Sequence, residues 1–335
     1  MIELYQMKKG KILIRYILSL TFSTLLMAQY TNCDFKDNNY EEICKRVVKK
    51  GVSVEYANSF LLSNKTTKMD ERSFKLFSVK KIAQHRKNEK RANNVLVKYV
   101  PKIIAHVKKY SNVYDEAEKR FGVNREVIAA ILMKETKLGK ITPSFDAFEV
   151  FNTLVKKVDV KTKRDKWLMS MGKSNMVSII KYCFDNAIEP NYCNLPSSYA
   201  GAVGIPQFMP ASFIYAVSYN DGGIDLTRME DAIMSASNYL HKKANFTKLI
   251  EWDKIPNMPK VEEQWYDYDF AHKDSSFVYA ESKRSGKKYD CFACGKPELQ
   301  YLRGYAKKIM RYNNSSNYAI GVMRLAYDTH QGLKK

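Results

Sequence analysis

The sequence predicts a mainly α-helical protein, an α+β class with minor strand content, and three observations carry that expectation. From about Asn93 onward, apolar residues return at intervals of three and four, the period of helices buried along one side. Breakers such as Gly122, in Phe121-Gly-Val123, interrupt these runs at lengths usual for single helices. No long alternating strand pattern and no internal repeat competes with them. With 335 residues, 45% of them hydrophobic, the chain can build one large globular unit or two smaller ones.

The elements follow in chain order. Lys8, Lys9 and Lys11 precede an apolar run from Ile12 to Met27, with small Ala28 near its end. A basic head, an apolar middle and a small residue are the parts of a secretory signal peptide, expected here at residues 1–28. Arg15 shortens the clean apolar stretch to roughly a dozen residues, too few for a comfortable membrane span, which favours export over a retained anchor. Tyr30, Thr31 and Asn32 are a poor small-residue box before Cys33, so lipidation there is not expected. Residues 29–95 form a polar region rich in Lys and Asn, with short helices such as 41–50. In 101–120, Ile103, Ile104, Val107, Tyr110 and Tyr114 keep helical spacing. Asn124 stands as N-cap of the next helix, whose apolar stripe is Val127, Ile128, Ile131 and Leu132. Further helices are expected near 167–186, 210–219, 228–244 and 297–311, the third behind a capping-box pattern at Thr227-Arg-Met-Glu230. These elements suggest a core over 96–250 and terminal helices over 297–335. Residues 251–296, rich in aromatic, Lys and turn residues, are expected to form a small irregular or β-containing subdomain.

Charge and cysteine usage bound the partners and the compartment. A net charge of +21 points to a polyanion, whether nucleic acid, an anionic membrane or an acidic wall polymer. No recognisable nucleic-acid motif accompanies it, and export argues against such a partner. The six cysteines are Cys33, Cys44, Cys183, Cys193, Cys291 and Cys294, an even number that groups into three neighbouring pairs. Cys291 and Cys294 form a CxxC that lacks the two further ligands of a zinc site and the βαβ setting of a redox motif. A local disulfide is the favoured reading of that pair.

Glu135 is the candidate for chemistry. It follows Ile131 and Leu132 by four and three residues, and so extends the buried stripe of its helix. Desolvation there favours the neutral carboxyl and raises its pKa, as a general acid for glycosidic cleavage requires. Taken alone, a helix-end glutamate more often snorkels to solvent or pairs with a neighbour such as Lys134 or Lys137. Two further segments change that balance. Ser198-Tyr-Ala-Gly-Ala-Val-Gly-Ile-Pro-Gln-Phe-Met-Pro210 combines glycines for close backbone approach with Gln207, an amide that both donates and accepts. Arg311-Tyr-Asn-Asn-Ser-Ser-Asn-Tyr318 places two tyrosines among amides at a helix end, a composition suited to a sugar platform.

These blocks resemble the lytic transglycosylases of the membrane-bound type B class. The resemblance rests on Glu135-Thr-Lys-Leu-Gly139, on Ser198–Pro210 with Ala211-Ser212-Phe213, on Asp231-Ala-Ile with Asn238-Tyr239, and on Tyr312-Asn313 with Tyr318-Ala319. Their order and spacing also match, over roughly residues 95–330. The resemblance implies a lysozyme-like, mainly helical core whose groove, completed by the terminal helices, binds the GlcNAc–MurNAc strand of peptidoglycan. It implies a non-hydrolytic cleavage that leaves 1,6-anhydro-MurNAc ends, with Glu135 as the sole acid/base. Ser198, Gln207, Phe208, Tyr312, Asn313 and Tyr318 match positions for substrate binding. Ordinary glycosidases need a second carboxylate; the nearest candidates, Asp146 and Glu149, are expected to be surface charges.

The sequence also departs from the family. The stretch Ser218-Tyr-Asn-Asp221-Gly-Gly-Ile-Asp225, matching a calcium loop of some members, is one residue short and has Ser at the first acidic position. No metal and no cofactor are therefore expected. Lys161-Thr-Lys163-Arg164 blurs the family's arginine pair, and residues 251–295 do not resemble its usual insertion. The implied partner is the glycan strand, met in the periplasm by a monomer, with peripheral membrane association compatible with the charge. The rivals are a hydrolase of the same bond and a non-catalytic wall-binding scaffold.

Overall fold

The computed structural model describes residues 32–141, 143–220, 222–265, 293 and 295–335. The expected signal peptide, Cys291, Cys294 and most of the expected subdomain lie outside the described residues. Contacts divide the chain into two units, which exchange the chain after residues 69, 150 and 194.

The first unit comprises described residues 32–69 and 151–194. It opens with α1 (Asn38–Val48) and α2 (Val54–Leu61), begun by the side chains of Asp37 and Ser53, which accept the orphan amides of the first turn. Disulfides Cys33–Cys44 and Cys183–Cys193 join the nearest neighbours, as the sequence grouping anticipates. Buried Asn152 donates to the carbonyls of Thr66 (2.9 Å) and Lys68 (2.8 Å) and accepts from the Tyr40 hydroxyl at 2.6 Å. A buried amide with three partners fixes that loop instead of destabilising the core.

The second unit comprises described residues 70–150 and 195–335. It opens with α3 (Glu71–Leu76) and the long α4 (Val79–Val97). The helix expected over 101–120 is two helices, α5 (Val100–Lys109) and α6 (Ser111–Phe121), because the backbone at Tyr110 turns away at φ −107°, ψ 29°. Tyr110 and Tyr114 still serve the core. Next comes α7 (Arg125–Thr136), in which every residue from Val127 to Met133 is buried. A stripe alone, as expected, would leave Ala129 and Ala130 wet. They are buried because α7 runs through the middle of the unit, and a helix apolar on all sides is a core helix.

The remaining elements follow in chain order. Strand β1 (Phe145–Asp146) pairs antiparallel with β2 (Pro196–Ser197), with Phe145 opposite Ser197 and Asp146 opposite Pro196. Between them in the chain lie α8 (Ala147–Lys157), which begins in the second unit, and α9 (Lys163–Asp185), which belongs to the first. A capping box opens α9, where Thr162 and Asp165 exchange side-chain and backbone bonds. The expected helix over 210–219 is a 3-10 turn, Pro210–Tyr215. The chain then forms α10 (Met229–Ala244), α11 (Met258–Trp265), α12 (Pro297–Ile309) and α13 (Ser316–Leu333). Helix α10 starts behind Arg228 without a capping box, since the Thr227 hydroxyl donates instead to Asp225 at 2.6 Å. Asn124 precedes α7 but its side chain spans to Ile250, accepting its amide at 2.6 Å. Within 251–265 the chain forms a 3-10 turn, Trp252–Lys254, and then α11, with Met258, Val261 and Trp265 buried in the core. Helix α7 packs against α5, α6, α10 and α13, and α13 also covers α4 and α12. Among the described residues the structure is mainly α, with one two-stranded sheet. No helix among the described residues is long and apolar enough to cross a membrane.

Candidate active site

The site begins where α7 stops. Three consecutive residues, Lys137 (φ 51°), Leu138 (φ 59°) and Gly139 (φ 79°), take left-handed backbone, and the Leu138 amide returns to the Leu132 carbonyl at 3.1 Å. Lys137 and Leu138 carry side chains there, a conformation that costs each about 1–2 kcal/mol. Such strain persists only where surrounding contacts over-determine it. Thr136 supplies them: its hydroxyl donates to the Ile205 carbonyl at 3.0 Å and accepts the Gly139 amide at 3.0 Å. The turn exposes Glu135 at the mouth of an otherwise buried helix.

The opposite wall is a tight loop built from small residues. The Ser198 amide donates to the Ala202 carbonyl (2.9 Å), and Val203 and Phe208 exchange two backbone bonds of 2.8 and 3.0 Å. Gly204, at φ 72°, lies so close to Leu226 that a Cβ would stand 2.6 Å from its carbonyl oxygen. Gln207 is also left-handed (φ 53°), and its amide nitrogen donates to Gly204 O at 3.0 Å and Ala202 O at 3.4 Å. The side chain is thereby held, with its amide oxygen as the remaining hydrogen-bonding atom.

Between the walls lies a groove of about 320 Å³, near the lower end of the ligand-pocket range. Its lining includes Glu135, Thr136, Gly139, Ser198, Tyr199, Ile205 and Gln207, with Ile141, Pro143, Ser144 and Phe145 opposite. Among the described residues, Glu135 is the one carboxylate in this lining. Burial pushes its pKa from 4.5 up to about 7, opposed by the bond from Tyr318 and the charge of Lys134, and assisted by Glu89. The Tyr318 hydroxyl donates to Glu135 Oε1 at 2.6 Å, and burial beside that carboxyl holds the phenol well above its ordinary range.

The structure gathers most of the sequence-derived candidates and separates some. Glu135, Ser198 and Gln207 line one groove, and Tyr318 reaches it through Glu135. Tyr312 donates to the Pro206 carbonyl and packs in an aromatic cluster with Phe208, Tyr215 and Tyr239, at centroid distances of 5.1–6.1 Å. Phe208 is only 2% exposed and supports that cluster from below. Asn313 is exposed in the turn before α13 and is not in the groove lining. Asp146 is not a surface charge: half-buried, it accepts the Glu149 amide and the Leu195 amide at 3.1 Å each. It caps α8 and ties it to β2, while Glu149 is also only half-exposed. Neither lines the groove.

Several contributors escape sequence reading. Tyr199, Ile205 and Phe145 have no pattern that distinguishes a groove wall from a core. Tyr239 stands in the Asn238-Tyr239 block of the sequence, yet its part in the aromatic cluster depends on tertiary packing. Fully buried Asp231 accepts the amides of Tyr219 (2.8 Å) and Asp225 (2.9 Å) and the Ser218 hydroxyl (3.3 Å), and so gathers the loop before α10. Among the described residues no cluster of His, Cys, Asp and Glu could hold a metal ion.

Comparisons with known proteins agree with this arrangement. Residues 35–327 match the model of the transglycosylase SLT domain. The membrane-bound lytic murein transglycosylase B of Escherichia coli (strain K12) is 30% identical over 132 residues. That alignment covers 39% of this chain and 34% of the relative, so it spans about a third of that protein's length. The fold matches the E. coli lytic transglycosylase Slt35, solved in complex with bulgecin A (TM-score 0.59, 19% identity, 91% of this chain and 97% of that one). It also matches SltB3 from Pseudomonas aeruginosa, solved in complex with NAG-anhNAM-pentapeptide (TM-score 0.57, 17% identity, 88% and 78% covered). Matched over most of its length, the chain belongs to the transglycosylase SLT domain family.

Proposed function

We propose that this protein is a peptidoglycan lytic transglycosylase, which cleaves the MurNAc-β-1,4-GlcNAc bond without water and uses Glu135 as both acid and base. The observation that carries the reading is a groove carboxylate, single among the described lining residues, desolvated to a pKa of about 7 and addressed by the Tyr318 hydroxyl. A carboxyl at that value holds a proton near neutral pH and gives it up readily, the compromise general acid–base catalysis favours.

Glu135 protonates the glycosidic oxygen, and the C1–O bond breaks as the GlcNAc hydroxyl departs. The substrate's own N-acetyl oxygen stabilises the anomeric carbon, replacing the second carboxylate of ordinary glycosidases. Glu135, now ionised, takes the proton of the C6 hydroxyl, whose oxygen attacks C1 and closes the 1,6-anhydro ring. Both proton transfers use one carboxyl, so the enzyme returns to its starting state. Tyr318 stabilises the ionised intermediate state through its hydroxyl, a charge-assisted bond stronger than a neutral one. The Ser198 hydroxyl and the Gln207 amide oxygen are placed to orient the sugar's polar groups. The named contents of structures with the same fold, a bulgecin in one and a NAG-anhNAM-pentapeptide in another, support a peptidoglycan substrate.

The proposed compartment is the periplasm. The basic-then-apolar N-terminus and the two disulfides favour an oxidising space outside the cytoplasm. A monomer that meets the wall through its basic charge, with peripheral membrane association, completes the reading. The test is mass spectrometry of muropeptides released from purified sacculi, comparing the wild type with Glu135→Gln. Anhydro-MurNAc ends, lighter by one water than reducing ends and absent with Glu135→Gln, are expected. Reducing ends would make the enzyme a hydrolase, and binding without release would make it a scaffold.

A further inference from the structure

A second, half-buried charge stands beside Glu135. Lys134 precedes it on α7, and its ammonium meets residues of α4 and α13. It donates to the amide oxygen of Asn93 on α4 and lies over the face of the Tyr318 ring, 5.0 Å from the centroid. Both contacts favour a cation, since an amide oxygen only accepts and an aromatic face is negative. Burial alone pulls the lysine below its ordinary range, and the charges of Glu89, Glu135 and Glu262 oppose that fall.

The clamp around Lys134 is built, not incidental. Asn93 is 2% exposed, and its amide nitrogen donates to the Asn317 carbonyl at 2.8 Å. Its side chain fits because α13 carries Gly321 opposite, where a Cβ would stand 2.1 Å from Asn93 Oδ1. One amide thus joins the start of α13, which carries Tyr318, to the ammonium beside Glu135.

We propose that Lys134, held by Asn93 in the gap left by Gly321, is a positioning residue that tunes the acid/base Glu135 electrostatically through space and through the Tyr318 ring. This rests on the assignment of Glu135 as the acid/base. A cation over a phenol ring strengthens its hydroxyl as a donor, and that hydroxyl is the one bonded to Glu135. The same charge stabilises the carboxylate that remains after the first proton transfer, where a wholly apolar setting would hold the proton too tightly. The other groups facing this pair are accounted for. Glu89 on α4 accepts from the Ser315 hydroxyl; Glu262 on α11 pairs with Arg324 at 3.0 Å, and Arg324 also pairs with Asp328 at 2.7 Å. Tyr312 contributes a neutral phenol.

The experiment is the pH profile of anhydro-muropeptide release from sacculi by the full chain and its variants. In the wild type, activity falls as pH rises through the Glu135 pKa, because the acid is lost. Lys134→Gln keeps a donor toward Asn93 and removes the charge, so the midpoint of that alkaline limb is expected to rise by roughly half a pH unit or more. Lys134→Arg retains the charge and leaves the limb in place. Asn93→Asp sets a carboxylate against the ammonium and moves the limb upward even if Lys134→Gln fails to fold. A lower rate at every pH with an unmoved midpoint in either charge variant would reduce Lys134 to packing and overturn the proposal. Activity retained by Glu135→Gln would instead overturn the acid/base assignment itself.

Discussion

Replacing Glu135 by Gln is expected to stabilise the fold at alkaline pH and to leave it unchanged in acid. Burial raises the carboxyl from 4.5 to about 7, so between those values the folded protein keeps a proton that the unfolded chain has released. Stability contributed by this group is therefore complete below pH 4.5, declines as pH rises toward 7 and stays lowered above it. The displacement corresponds to about 3 kcal/mol. Glutamine has nearly the same shape and still accepts from Tyr318, so it removes the titration without opening a cavity. The assay is urea unfolding of wild type and Glu135→Gln at pH 4.5 and pH 8.5, read as the difference between the two proteins at each pH. A gain of up to about 3 kcal/mol at the higher pH and nearly none at the lower is expected. An equal difference at both pH values would mean that Glu135 titrates as an ordinary exposed carboxylate. The desolvation argument for its acid role would then fail.

Other consequences are testable together. Tyr318→Phe removes the hydroxyl that stabilises the Glu135 carboxylate; the alkaline limb of the pH–activity profile should rise and the plateau rate fall roughly tenfold or more. An unmoved limb would detach Tyr318 from the proton transfer. Gly204→Ala forces a Cβ against the Leu226 carbonyl in a left-handed conformation, so thermal unfolding should show a loss of roughly 2 kcal/mol or more, with weakened glycan release. Wild-type stability there would show that the loop can retreat. Cys183→Ser with Cys193→Ser opens a link between positions ten apart, which should cost the first unit about 2–3 kcal/mol in urea while leaving the Glu135 groove intact. Proteolysis that starts in the second unit instead would contradict the division into units.

Much of the fold is legible because its signals are local. The helical class follows from spacing, and the two observed disulfides follow from neighbouring cysteines. Glu135 was visible as a polar residue on an apolar stripe, but its value as an acid needed α13, whose Tyr318 lies 183 positions away. Local rules failed where two of them competed. Thr227 offered a capping-box pattern, yet its hydroxyl found Asp225 first, while the box that forms is at Thr162 and Asp165.

The sequence by itself determined that the chain is mainly helical, that an acid extends the apolar stripe of one helix, and that small residues accompany it. These are consequences of periodicity, residue size and polarity, all read within about ten positions. Only the tertiary structure decided that α7 is wrapped on every side, that Phe208 supports the aromatic cluster from beneath, and that Asp146 ties α8 to β2. It alone brought Asn93, Lys134, Gly321 and Tyr318 together behind Glu135. Burial and charge pairing depend on which distant elements pack together, and a carboxyl's proton affinity is fixed by what surrounds it in space.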